Sequence, residues 1–482
     1  MEQDLHDNQN MLLKRRREEE VCGGGQDGGG PDYLSSLPDA IIANIITSLP
    51  FREAVRTSLL SRRWRSLWQS TRSVDIDENL FVQKEGNVVE FIRRWPEIYG
   101  GEPTMVSFRL AVSNPPELCR PDIQRCIDFV VDRRGLKALD LDFSDPSWDT
   151  NRDTIPQTTL FHLPLVLEDG RHSSLETLRS FACKIRVPES RNFFFAIREL
   201  FLGWIEMAGS SLCGLVSMCP FLETLTVKRC WNLGSLDLAA PRLRVLVLHK
   251  CTGLDYISLT AKSLAIFKYS GGYTYLQLDY HSSLVQAEFD FQQQLRWEEG
   301  ADPEMLYNAL VEIWRAEFLS VCSYMLQMVQ MAEESSVKPR LSCLRHLHLK
   351  TQLHVKEYFG ITFFLNSCPN LRVLSIDLSP STQIFQMRPP YRVREHPFVS
   401  NLWYPTCLER TLQRVEVKGF KGDDDSQILV LKFLLKYGQV LEALCFCVSK
   451  EEAAAEEQNV RKFMEQCDDI CSPNLKLYLR YN

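Results

Sequence analysis

Apolar residues recur along the middle of the chain as Leu-x-x-Leu-x-Leu, with Ile and Val as substitutes. The sets are Leu136/Leu139/Leu141, Ile197/Leu200/Leu202, Leu222/Leu225/Val227, Leu243/Leu246/Leu248, Leu344/Leu347/Leu349 and Leu371/Leu374/Ile376. The last two members of each set alternate with other residues, the period of a strand buried on one face. From Ile197 to Leu222, Leu222 to Leu243 and Leu344 to Leu371 the steps are 25, 21 and 27 residues, the length of one leucine-rich coil. A half-step also shows: Leu233/Leu236/Leu238 and Leu254/Ile257/Leu259 repeat the motif, so Leu222, Leu233, Leu243, Leu254 and Leu264 follow at 11, 10, 11 and 10. The pattern predicts an α/β leucine-rich solenoid whose coils carry two extended segments, one on each side of a shared core. Residues between the core leucines point the other way. Stacked coils then place Glu199, Phe201, Thr224, Thr226, Val245, Val247, His346, His348, Val373 and Ser375 on one sheet face, the candidate surface for a target protein.

Before the repeats the rhythm is helical. In "LPDAIIANIITSLP", Ile41, Ile42, Ile45, Ile46 and Leu49 fall on one broad face, with Leu37 and Pro38 leading in and Pro50 closing the run. A second short helix is predicted over 52–60 and a third from Ser61, as N-cap, to about Ser70. Three helices in so short a segment cannot bury all their apolar side chains internally, so the segment is expected to share them with a partner. Ahead of it, residues 1–31 carry "KRRREEE" and glycine runs, the composition of a flexible tail.

The repeat rhythm lapses between about 292 and 338. There Asp302 as N-cap, Pro303 at the first helical position, and Met305, Leu306, Leu310, Ile313, Trp314, Phe318, Val321 and Met325 on one face predict an inserted helix over 302–331, packed on the solenoid. From Leu402 onward, Leu412/Val415/Val417 and Leu441/Leu444/Phe446 read as strands around a helix over 426–436 that follows the acidic turn 423–425. A helix near 459–465 and an extended "NLKLYLRY" end the chain. The expected organisation is a tail (1–31), a three-helix unit (32–72), a solenoid (73–400) and a strand-helix-strand C-terminal region (401–482).

Charge and composition narrow the function. A net charge of −7 gives no general attraction to phosphate backbones, so "SLLSRRWRSLW" (58–68) would have to act alone as a nucleic-acid grip. Neither a base-reading helix nor a dimer element accompanies it, which points Arg62, Arg63 and Arg65 to a protein rim or to solvent. The sixteen cysteines contain no Cys-x-x-Cys pair. Cys445 with Cys447, Cys467 with Cys471, and His346 with His348 come nearest to metal spacing, but no second pair matches them, so no metal or cofactor is expected. Free thiols and the lack of an apolar run of membrane length fit a cytoplasmic or nuclear protein. No phosphate-binding loop, nucleophile elbow or His-Glu-x-x-His is present, which argues against an enzyme.

Residues 37–68 resemble the F-box of plant F-box proteins throughout: the leading Leu-Pro, the isoleucine helix, Leu49-Pro50, Ala-Val-Arg-Thr-Ser, and the closing Ser-Arg-Arg-Trp-Arg-x-Leu-Trp. "CLERTLQRVEVKGFKGDDDSQILVLKFLLKYGQVLEAL" resembles the FBD region that follows leucine-rich repeats in the same F-box/FBD/LRR-repeat family. The resemblance implies a noncatalytic substrate-recognition subunit of an SCF-type cullin-RING ubiquitin ligase, with a Skp-type adaptor on the F-box and a target protein on the repeats. It implies adaptor contacts at Leu37, Pro38, Ile41, Ile45, Leu49, Pro50, Leu59 and Trp64. Ile42, Ile46, Leu60 and Leu67 are expected, on our own reading of the residues, to hold the three helices together. The alternative is a leucine-rich scaffold or small-molecule receptor whose F-box is unused, for which a deep pocket in the solenoid would speak.

Overall fold

The computed structural model describes residues 36–81, 87–99, 105–133, 135–149, 161–163, 173–185, 193–278, 283–291, 309–329, 340–379, 384, 398, 405–422, 424–448, 450, 453–467 and 475–481. The tail over 1–31 lies outside them. The chain divides into two compact units, at Thr71 and Arg72.

In the first unit, Pro38 fixes the entry to a helix over Asp39–Ser48, its carbonyl accepting from the amides of Ile41 and Ile42 at 3.0 and 3.1 Å. Leu49 is extended and Pro50 stops the helix. The Pro50 carbonyl then opens the helix Phe51–Arg56, which tightens into a 3-10 turn at Thr57–Leu59. The third helix expected over 61–70 is not α-helical. It consists of turns followed by a 3-10 segment, Leu67–Ser70. Bonds of the i to i+3 kind run from Trp64 to Ser61, Leu67 to Trp64 and Thr71 to Trp68, at 3.1, 3.3 and 3.1 Å. A run this short gains little from α-helical propagation, and the tighter winding lets Trp68 meet Phe51 edge to face at 6.1 Å. Ser61 is no cap, because its buried hydroxyl has no hydrogen-bond partner.

Among the described residues, the second unit is built on one parallel sheet of fifteen strands that pair in chain order, with the strands of two smaller sheets falling between them in the chain. Stacking is in register: Leu200, Leu225, Leu246, Phe267, Ala287, Leu319, Leu347, Leu374, Val415 and Leu444 form one inward row, each at most 1% exposed. Coil length decides what lies behind the sheet. The strands beginning at Thr224, Val245, Ile266 and Gln286 are only 21, 21 and 20 residues apart, too few for two corners and a helix. Here the return is a strand, and Gly234–Ala239, Leu254–Thr260 and Tyr275–Leu278 form the predicted second sheet. Where the step is longer, a helix returns: Gly209–Ser217, Tyr358–Ser367 and Asp425–Tyr437 are examples, the last capped by the Asp424 carboxylate at 2.8 Å from the Ser426 amide.

Corners repeat as well. Ala182, Trp204, Arg229 and Lys250 take φ of 58°, 54°, 57° and 51° as coils leave the sheet, and the residues that follow, Cys183, Ile205, Cys230 and Cys251, drop into the core. This completes a Leu-x-x-Leu-x-Leu-x-x-Cys repeat that the leucine pattern alone does not display. Burial pushes the Cys183 thiol up to about 12 and Cys251 to about 11, so these thiols are structural.

The inserted helix over 302–331 is corrected. Residues 302–308 and 330–331 lie outside the described residues, and 309–312 are helical. Phe318–Cys322, however, is a strand of the main sheet, between Gln286–Asp290 and His346–Lys350, followed by the helix Ser323–Met328. Leu319 and Val321 continue the two inward rows at 0% exposure, and the coil proceeds through the supposed interruption. The alternation of Phe318, Ser320 and Cys322 with these residues is a period of two inside what looked like a helical stripe. Trp314, expected to pack, is 42% exposed. Past 405 the chain continues the same sheet, through Arg414–Lys418, Ala443–Val448 and Lys476–Tyr481, with a helix over Ala453–Glu465.

Candidate functional site

Two surfaces emerge, one on each unit. On the first, the helix Asp39–Ser48 buries Ile42 and Ile46 completely and leaves Ile41 47% exposed, with Ile45 half-buried one turn on. Pro38 and Pro50 are exposed, Leu37 and Leu49 half-buried, and Leu59 stands 67% exposed. Two expectations change. Trp64, taken as an adaptor contact, is 2% exposed and offers no face to a partner. Leu60, taken as internal, is 61% exposed. A segment with two tryptophans inside and three large aliphatic side chains outside has given its largest rings to its own stability.

On the second unit, all ten predicted face positions are half-buried on one side of the main sheet. Glu199, Thr224 and Val245 share one register row with His346 and Val373; Phe201, Thr226 and Val247 share the next with His348 and Ser375. Between them the rows run through Ile266, Gln286 and Phe318, and through Lys268, Glu288 and Ser320. Sequence reading missed these, because their core partners are Phe267/Tyr269, Ala287/Phe289 and Leu319/Val321, where aromatics and alanine replace leucine. The signal was there in Leu264-x-x-Phe267-x-Tyr269 and Leu284-x-x-Ala287-x-Phe289.

The face is zoned. At its start Arg109 lies 3.1, 3.3 and 3.6 Å from Asp75, Asp77 and Asp140, and Arg179 stacks over the Phe201 ring at 4.4 Å. At the centre Thr224, Thr226, Val245 and Val247 are uncharged, with Lys228 closing the first of these two strands. Farther on, paired charges return: Lys268 with Glu288 at 2.8 Å, Lys350 with Asp290 at 2.7 Å, Lys418 with Asp377 at 3.3 Å. Such solvent-facing pairs are each worth about 0–1 kcal/mol, so they add little to stability.

In this last zone side chains join into a network. His346 Nε2 and Ser375 Oγ are 2.7 Å apart, Ser375 donates to Glu416 at 3.2 Å, and Ser320 Oγ meets His348 Nδ1 at 3.0 Å. Since the Ser375 proton goes to Glu416, His346 Nε2 donates to Ser375. A serine that hands its proton to a carboxylate and accepts one from an imidazole is not activated as a nucleophile, because the imidazole has no lone pair facing it. Burial holds both imidazoles below the usual histidine range, opposed at His346 by Glu416 and at His348 chiefly by Asp377. Burial would raise Asp377, but hydrogen bonds from Ser379 and the Lys418 ammonium hold its carboxyl below the usual range.

Among the described residues no group of three His, Cys, Asp or Glu side chains is placed to hold a metal ion, and no helix is long and apolar enough to cross a membrane. Cys445 and Cys447 sit two apart on the same sheet face, and Cys471 lies outside the described residues.

Comparison with known proteins agrees with this division. Residues 34–74 match the F-box domain, and residues 154–475 match the family described as At1g61320/AtMIF1, LRR domain. The chain is 30% identical over 427 residues to the F-box protein At3g62230 of Arabidopsis thaliana, covering 85% of this chain and 90% of that protein. It is 27% identical to the putative F-box/LRR-repeat protein At5g54820 of Arabidopsis thaliana, covering 84% and 88%. With the F-box/FBD/LRR-repeat protein At1g80470 of the same plant it shares 25% identity, over 80% of this chain and 79% of that one.

Proposed function

The chain belongs to the F-box/LRR-repeat family, and from that membership we propose that it is the substrate-recognition subunit of an SCF-type cullin-RING ubiquitin ligase. The observation that carries this reading is the contrast between the two units: a small one with Ile41, Leu59 and Leu60 left outside, and a sheet face of fifteen strands with half-buried, mixed side chains. The first suits a Skp-type adaptor, whose apolar surface would cover those residues together with Leu37, Pro38, Ile45, Leu49 and Pro50. The second suits a target protein. The subunit is noncatalytic and works by tethering: with both ends occupied, target lysines meet the ubiquitin-loaded enzyme at a raised effective concentration. It acts in the cytoplasm, the nucleus or both.

The test is calorimetric titration of the full-length protein into a purified Skp-type adaptor bound to its cullin, beside an Ile41→Ala/Leu59→Ala variant of matched thermal stability. Sub-micromolar binding by the wild type, weakened at least about tenfold in the variant, is expected for two partner-covered aliphatic side chains. A folded wild-type protein that gives no heat with the adaptor overturns the reading.

A further inference from the structure

The face proposed for the target contains a pocket of about 270 Å3, opening over the strands from Phe318–Cys322 to Ala443–Val448. Pockets that bury a small organic ligand start at roughly 300 Å3, so this one suits a single large side chain of a bound protein. Its flat wall is the Phe318 ring, which the His346 ring meets edge-on at 4.8 Å. Its polar wall offers acceptors in excess of donors. Asp377 and Glu416 supply two carboxylates against the Lys418 ammonium, and His346, whose Nε2 donates to Ser375, keeps Nδ1 as an acceptor. Walls of this kind fit a side chain that ends in several N–H donors on an apolar stem.

We infer that this pocket takes an arginine or lysine side chain of the target, its cationic head against Asp377 and Glu416 and its stem along Phe318. The inference rests on the sheet face being the target surface. It also sets a pH dependence. The charged and titratable groups facing the two imidazoles are Glu288, Lys350, Asp377, Glu416 and each other. Around them stand Arg414 beside Glu416, Lys418 beside Asp377, Asp290 beside Lys350, and the Cys447 thiol. With both imidazoles neutral the pocket lining carries a net negative charge. Protonation of either one turns an acceptor into a donor and places a second cation at the site, so occupancy falls as pH is lowered.

The test follows histidine side-chain carbon resonances of the full-length protein, with His346 and His348 identified through His346→Gln and His348→Gln, during titration with acetyl-arginine-amide. Saturable shifts of both are expected at neutral pH. Acetyl-glutamine-amide should bind about fivefold more weakly, the size of one solvent-facing ion pair. Glu416→Gln should weaken acetyl-arginine-amide by a similar factor, and Lys418→Gln, which removes the competing cation, should strengthen it. That gain cannot come from misfolding. Absence of saturation overturns the inference, as does tighter binding of acetyl-glutamate-amide or acetyl-tryptophan-amide. Failure of the wider reading is read separately, from target capture by Thr226→Arg at the uncharged centre of the face. If Thr226→Arg abolishes capture while the pocket ignores arginine, only the arginine pocket falls; if capture is unaffected, the face is not the target surface and the inference falls with it.

Discussion

In residues 36–71 Ile41, Leu59 and Leu60 stand 47%, 67% and 61% exposed, whereas along the first inward row of the sheet, from Leu200 to Leu444, no residue exceeds 1%. Both regions are comparably rich in aliphatic side chains, so composition does not separate them. The difference lies in what each residue has beside it. A coil cannot bury its leucines alone, but its neighbours above and below do it for every coil alike. The short segment has no such neighbours in its own repeat, and its core closes on Ile42, Ile46, Phe51, Trp64 and Trp68, with the remaining aliphatics outside. Exposed apolar side chains at that density are what a partner surface is made of.

Substitutions that invert these roles break the comparison most visibly. Trp64→Ala removes a side chain 2% exposed and is expected to destabilise its unit by about 3–5 kcal/mol, read as a lowered urea midpoint. Loss of adaptor binding with unchanged stability would instead return Trp64 to the interface. Leu246→Ala, at the middle of the inward row and 0% exposed, should cost the repeat unit about 2–5 kcal/mol through the cavity it leaves. A Leu246→Ala protein as stable as wild type would mean that the stacked rows do not carry the fold.

Close packing gives a third probe. A Cβ on Gly360 would lie 2.1 Å from the Leu326 carbonyl oxygen, where the helix Tyr358–Ser367 crosses Ser323–Met328. Gly360→Ala should therefore destabilise by roughly 1–3 kcal/mol, although alanine is the better helix former, and thermal unfolding checks the sign. Leu59→Ala and Leu60→Ala are the opposite case. Stability should stay within about 0.5 kcal/mol of wild type, while adaptor affinity falls by at least about 1 kcal/mol for each residue that the partner covers. If both affinity and stability are untouched, the exposed aliphatics are bare surface.

Legibility from sequence follows the same division. A row of leucines that repeats is visible because stacking demands the same residue type at the same place in every coil, and the half-step was readable because two strands per coil leave two such demands. The strand Phe318–Cys322 was not, since Met305, Leu310 and Met325 extend an apolar spacing of helical period across it, and only its pairing with Gln286–Asp290 and His346–Lys350 settles the period. On the first unit the isoleucine helix announced itself. Which of Leu59, Leu60 and Trp64 faces outward did not, because Leu59 ends a 3-10 segment and Leu60 and Trp64 lie in or next to the turns that follow it, so the side chains do not keep the angular spacing of an α-helix and Trp64 falls inside. The hydrogen-bond string from His346 through Ser375 to Glu416 joins three coils, and no local motif encodes a contact between positions 29 and 41 residues apart.

The smallest effect separates the units by proton binding. Residues 36–71 contain no histidine, whereas His346 and His348 sit half-buried on the sheet face with pKa values below the ordinary imidazole range. Between those native values and the unfolded one, roughly 6.5, the unfolded chain binds more protons than the native chain. Stability therefore rises with pH there. The contribution is complete above the unfolded value and is lost as pH falls through the native ones. Lowering pH from 7 to 5.5 should shift the urea midpoint of the repeat unit downward with an unchanged m-value, and His346→Gln/His348→Gln should flatten that slope. Adaptor affinity, which involves no histidine of the first unit, should stay level over the same range. A double variant that keeps the full pH slope would show that the two imidazoles titrate alike in the folded and unfolded chain, and the sheet face would then lose the property that most distinguishes it from the small unit.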